Sequence, residues 1–245
     1  MKFAIAPLLA AAFVMPASHA ALQGRDLDTS QAGFEAYYDA ELDITWLTDF
    51  ALITHQGVDA DGKLSWDGAQ SWIASLNQQK LYGVDGWRLP KVEPLNGSYF
   101  QGAFSFDGST DIGLARTGQG WGTASEMGHL YYVTLGNLSY CVPTADRSAA
   151  CTVQPGWDQK NLGPFKNLQT FLYWADVQGY PTSSTQMAYF SAYEGYQGFA
   201  AKSTSYGAIA VRDGDIAVTA VPEPGTWALM VAGLVGLGLR ARRSR

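Results

Sequence analysis

Two uncharged apolar runs stand at the ends of the chain, Phe3–Met15 and Gly225–Leu239, and between them the apolar residues fall into short clusters at strand or helix spacing. Phe34–Tyr38 and Ile44–Leu47 lie on either side of the turn-forming stretch Asp39–Asp43, which predicts two short strands. Ser65 precedes Trp66, Ala69, Ile73 and Leu76, a helical period that predicts a capped helix over Trp66–Asn77 with that face buried. Thr123 and Glu126 have capping-box spacing, and Met127, Leu130, Tyr131 and Leu135 continue as an apolar stripe toward Gly136. From Phe171 the pattern turns to strands: Phe171–Trp174, Met187–Ala192, Tyr196–Ala201 and Ala208–Arg212, with Glu194-Gly195 as a hairpin turn. No internal repeat of fixed period is visible.

The two terminal runs read as export signals. At the N-terminus, Met1-Lys2 supplies a positive region, Phe3–Met15 an apolar stretch, and Ser18-His19-Ala20 a small-x-small cleavage site. Residues 1–20 are therefore expected to be a signal peptide, with the mature chain starting at Ala21. At the other end, Pro222 and Pro224 fix φ and remove amide donors, which holds Val221-Pro222-Glu223-Pro224 extended and accessible. The run Gly225–Leu239 is somewhat short of the roughly 20 residues that span hydrocarbon, a mismatch relieved by thinning of the bilayer and snorkelling of Arg240. Arg240, Arg242, Arg243 and Arg245 follow without an acid, so the positive-inside rule puts that end in the cytoplasm and the body on the outer side.

This ordered set resembles the sorting signal of PEP-CTERM proteins: motif, transmembrane helix, arginine-rich tail, over residues 221–245. The resemblance implies an exosortase as processing partner, an inner-membrane-anchored precursor with its body in the periplasm, and a final place at the cell surface or in an extracellular matrix.

Composition narrows what the body, residues 21–220, does. Over residues 21–239, which exclude Lys2 and the four tail arginines, 11 basic residues stand against 22 acids, a net charge of −11. That charge repels phosphate backbones and no basic stripe offsets it, so nucleic acid is not an expected partner. Aromatic residues make up 13% of the chain and 27 glycines accompany them, which suits a loop-rich secreted α+β or all-β domain. Cys141 and Cys151 both lie in the exported part, where an oxidising compartment favours pairing, and a disulfide there is expected as a structural clasp.

A second resemblance covers residues 34–218. Tyr38-Asp39, Ile44-Thr45-Trp46, Asp59-Ala60-Asp61-Gly62, Trp87-Arg88-Leu89-Pro90, Ser125–Leu130, Tyr173-Trp174 and Ala210-Val211-Arg212 stand in the order of the Lcl C-terminal-like domain of unknown function. The resemblance implies a C-type-lectin-like α+β layout: a small twisted antiparallel sheet, two helices and long loops. Within Trp87-Arg88-Leu89-Pro90, Arg88 sits between apolar residues and before a proline. A buried extended turn is expected there, with the guanidinium bonded to backbone carbonyls or a carboxylate such as Glu126.

Chemistry is sparse. His55 and His129 share no triad or metal spacing with each other, so His55 reads as a solvent-facing loop residue and His129 as a satisfied helix histidine. Asp59 and Asp61 form half of a calcium loop, but Gly57 and Gly68 stand where further acids belong, so an Asx-rich turn is the plainer expectation and no cofactor is expected. Asp107, Asp111, Asp213 and Asp215 are the carboxylates from which a glycoside hydrolase pair would be drawn. The scarcity of histidine and of nucleophile patterns favours a non-catalytic surface or matrix protein, contacting polysaccharide through aromatics such as Tyr180, Tyr193 and Tyr196. A secreted hydrolase and a protein-binding adhesion module are the alternatives.

Overall fold

The computed structural model describes residues 22–177 and 185–216. The expected signal peptide, Tyr180, the Val221–Pro224 motif and the apolar tail lie outside the described residues. In chain order the strands are β1 (Gln23–Arg25), β2 (Ala36–Asp39), β3 (Ile44–Leu47), β4 (Trp87–Arg88), β5 (Phe104–Ser105), β6 (Ile112–Gly113), β7 (Gly120–Thr123), β8 (Leu172–Trp174), β9 (Gln186–Ser191), β10 (Tyr196–Ala201) and β11 (Val211–Asp213). The helices are α1 (Leu52–His55), α2 (Trp66–Gln79) and α3 (Glu126–His129), the last continued by a π-helical turn over Leu130–Thr134. The class is α+β. None of the helices among the described residues is long and apolar enough to cross a membrane.

Where one small antiparallel sheet was expected, the chain builds two five-stranded sheets, in the orders β1-β2-β3-β11-β4 and β5-β6-β10-β9-β8. The second is mixed, because β5 runs parallel to β6. The sequence pattern missed this because Trp87–Arg88, Phe104–Ser105 and Ile112–Gly113 are two residues long, too short to show any period. Both sheets contribute to one apolar core. Trp46 and Leu47 from the first meet Tyr173, Trp174 and Phe190 from the second, with α2 and α3 supplying Ile73, Leu76 and Met127. Each such side chain contributes about 1.5–3 kcal/mol on burial.

Helix α2 forms where its cap and stripe predict. The Ser65 hydroxyl accepts from the Gly68 amide, and Lys80 ends the helix in the left-handed region. Its buried face is turned slightly from the expected one: Trp72 is 2% exposed, while Trp66 is only half-buried under the Lys202 ammonium, 4.6 Å from the ring centre. The second helix starts later than the Thr123–Glu126 spacing suggests. Thr123 still belongs to β7, and Ser125 is the cap, accepting from the Gly128 amide at 3.1 Å. Tertiary demand decides this, because the Glu126 carboxylate faces an arginine instead of reaching back to a capping residue.

The β9–β10 hairpin is the longest ladder, running from Tyr196 opposite Ser191 to Ala201 opposite Gln186. Its turn depends on Gly195, which has φ +76°. A Cβ there would sit 2.3 Å from the Tyr132 hydroxyl, which itself donates to the Gly195 carbonyl at 2.7 Å.

Candidate functional site

Two places concentrate side-chain chemistry. The first is the Arg88 hub, where β4, β11 and α3 meet. Arg88 Nη1 and Nη2 donate to Glu126 Oε2 and Oε1 at 2.8 and 2.7 Å, a two-pronged pair. Arg88 Nε donates to Asp213 Oδ1 at 2.9 Å, Nη2 also reaches Asp213, and Nη1 donates to the Leu89 carbonyl at 3.0 Å. Glu126 Oε2 further accepts from the Lys91 amide at 2.7 Å. Burial opposes the charged guanidinium, but the bonds to Glu126 and Asp213 outweigh it and raise the Arg88 pKa above its ordinary value. Bonding to Arg88 lowers that of Asp213. Trp87, Leu89 and Pro90 are buried around this hub. Its geometry ties the first sheet to α3, and every guanidinium nitrogen is taken by protein.

The second place is an aromatic cleft on the β5–β6–β10 side of the second sheet. A cavity of about 300 Å³ opens there, within the range of small-ligand sites. Strand alternation puts Phe104 and Phe106 on one side of β5 and its continuation, with rings 4.7 Å apart. Tyr196 from β10 stacks on Phe104 at 6.0 Å and an interplanar angle of 26°. Tyr140 and the disulfide form another wall, and Glu194 from the hairpin turn is the only charged side chain among the described residues lining the cavity.

The disulfide clasp is built locally. Cys141 and Cys151 are joined, with Cα atoms 5.3 Å apart. Below them the Val142 amide donates to the Thr152 carbonyl and the Gln154 amide to Tyr140, a short antiparallel ladder. The Tyr140 amide then donates to the Glu194 carbonyl at 2.9 Å, locking clasp and hairpin turn together. For a loop of this size the chain-entropy account gives about 2–3 kcal/mol. Tyr140 continues outward into an edge-to-face row with Trp157 and Tyr193, at 4.6 and 4.9 Å, and Tyr193 is 43% exposed. Burial pushes the Tyr196 hydroxyl up and the Glu194 charge adds to it, so the phenol keeps its proton.

The remaining candidates are dispersed. Asp59 accepts from the Asp61 amide at 2.9 Å and Asp61 from the Lys63 amide at 3.1 Å, a pair of Asx turns. No group of three or more potential ligands gathers for a metal among the described residues. Asp111 is buried and accepts from the Leu95 and Gln101 amides; Asp107 faces Arg116, Asp213 faces Arg88 and Asp215 faces Arg25. His55 lies on α1 instead of in a loop, exposed, with Nδ1 2.6 Å from Asp49. His129 is only half satisfied: Nδ1 is 3.2 Å from the Gly122 carbonyl, while Nε2 has no hydrogen bond and lies 3.7 Å from Glu41.

Tyr193 and Tyr196 were legible as candidates, but Phe104, Phe106, Tyr140, Trp157 and Glu194 were not. The Phe104-Ser105-Phe106 alternation was the one available signal, and Glu194 carried only a turn signature.

The PEP-CTERM protein-sorting motif matches residues 220–243, beyond the last described strand. No curated protein and no solved structure matches the chain. The motif marks an exported protein that is targeted to an exosortase and passes through a membrane-anchored precursor.

Proposed function

We propose that this protein is a non-catalytic component of the cell surface or extracellular matrix that binds exopolysaccharide through the cleft of Phe104, Tyr140, Tyr196 and Glu194. The signal peptide (1–20), a lectin-like body (21–220) and the sorting signal (221–245) then form one export pathway ending outside the cell. The observation that carries this reading is an exposed aromatic cavity on an exported body: the Phe104 ring is 38% exposed, and its stacked arrangement with Tyr196 offers the flat apolar face on which a pyranose ring lies. Support for binding over hydrolysis comes from Asp107, Asp111, Asp213 and Asp215, each committed to its own structural partner. The Lcl C-terminal-like reading of the body rests on its ordered motifs.

Calorimetric titration of the full-length protein in detergent with oligosaccharides from the host matrix tests the proposal. Saturable binding is expected, weakened about tenfold or more in Phe104→Ala with the melting temperature unchanged. Absence of binding to any glycan, or full binding by Phe104→Ala, overturns it.

A further inference from the structure

The Glu194 carboxylate is half-buried at the mouth of an aromatic cavity, and among the described residues nothing neutralises it: no hydrogen bond reaches its oxygens and no cation pairs with it. Its amide is spoken for by the Ser191 hydroxyl at 3.4 Å and its carbonyl by Tyr140, so the turn backbone is fixed while the side chain is left over. In the Arg88 hub, by contrast, each charged group has an opposite partner. An unpaired carboxylate beside Phe104, Tyr140 and Tyr196 has the two components that attract an ammonium: a full negative charge and ring faces carrying negative quadrupoles. The body around it, residues 21–220, holds 11 basic residues against 21 acids, a net charge of −10, which repels anionic chains and concentrates cationic ones.

On the basis of glycan binding at this cleft, we propose that the ligand is an amine-bearing glycan, a chain containing de-N-acetylated hexosamine, whose protonated amine pairs with Glu194 while the sugar ring lies against Phe104 and Tyr196. The glycan is favoured over a lysine side chain because the row Tyr140, Trp157 and Tyr193 leads out of the cavity. The rings of that row meet edge to face, and Tyr193 at the outer end is exposed, so a chain of sugar rings has a further aromatic to contact that a single aliphatic stem does not reach. Uronate-rich polysaccharides are disfavoured by the same charge.

The test titrates full-length protein with glucosamine oligomers, their fully N-acetylated counterparts, uronate oligomers and a lysine-rich peptide. It is run at mildly acidic pH, where amines are protonated and carboxylates ionised. The expected result is glucosamine oligomers bound about tenfold or more tightly than the acetylated series. Glu194→Gln brings the ratio close to one, whereas Phe104→Ala weakens both series and preserves it. Equal affinity for the two series, tighter uronate binding, or a ratio unaltered in Glu194→Gln overturns the amine proposal and leaves glycan binding standing. Tighter binding of the peptide than of any glycan overturns it in favour of a protein amine. Failure of every glycan to bind overturns both proposals.

Discussion

Arg88 joins two carboxylates across three elements, and its side chain is 17% exposed against 9% for Glu126. Removing one partner from so enclosed a pair leaves the other charge desolvated, which is costlier than the pair itself is worth. Arg88→Ala is therefore expected to lower stability by about 3 kcal/mol, read as the urea midpoint, and Arg88→Lys to recover only part because an ammonium cannot make the two-pronged contact. Asp213 and Asp215 are held below the usual carboxylate range by bonds from Arg88 and Arg25. Their contribution is complete above the unfolded carboxylate pKa of about 4 and is lost as pH falls through the lowered folded values. Acid titration followed by circular dichroism is expected to show stability falling below about pH 4, with a smaller fall in Asp213→Asn.

At the scale of elements, the β9–β10 hairpin carries both the core residue Phe190 and the cleft residues Glu194 and Tyr196. Gly195 is where these duties meet. Gly195→Ala places a methyl group into the Tyr132 hydroxyl and strains a left-handed backbone, so a loss of about 2–4 kcal/mol is expected by denaturant unfolding. Gly214, also left-handed but with open space around its Cβ position, serves as the control: Gly214→Ala costs only the backbone strain, about 1 kcal/mol. The sequence marks Gly195 as a turn residue but does not mark it as intolerant of a side chain; the neighbour that makes it so is Tyr132, 63 residues away.

At the scale of the whole molecule, export and folding are separable. The sorting motif at residues 220–243 follows the last described strand, and the core and both sheets are assembled from residues before it. Replacing Pro222, Glu223 and Pro224 by alanine is expected to leave the body's melting temperature unchanged while the full-length precursor accumulates in the inner membrane. Mass spectrometry of the surface fraction checks this: a mature species still ending at Arg245 in an exosortase-competent cell would sink the processing scheme.

What the sequence determined by itself was whatever depends on neighbours within a few positions. The tail motif is contiguous, its prolines, apolar run and arginines acting through local stiffness, hydropathy and charge. The same holds for α2 with its Ser65 cap, for the β2–β3 and β9–β10 pairs, and for the Cys141–Cys151 clasp, whose ends are close along the chain. The Arg88–Glu126 contact was nameable only as one option beside backbone carbonyls, because a guanidinium enclosed by Trp87 and Leu89 has to find acceptors within the protein. Tertiary structure alone decided the rest. Two-residue strands such as β5 and β6 have no period of their own and exist because β10 is beside β6 and β6 beside β5. The shift of the α3 cap from Thr123 to Ser125 follows from the pull of Arg88 on Glu126. The cleft brings Phe104, Tyr140 and the hairpin residues Glu194 and Tyr196 from three segments to one surface, and no local rule predicts such a meeting. It comes from closing two sheets over a shared core, which leaves some aromatics inside and these few at its edge.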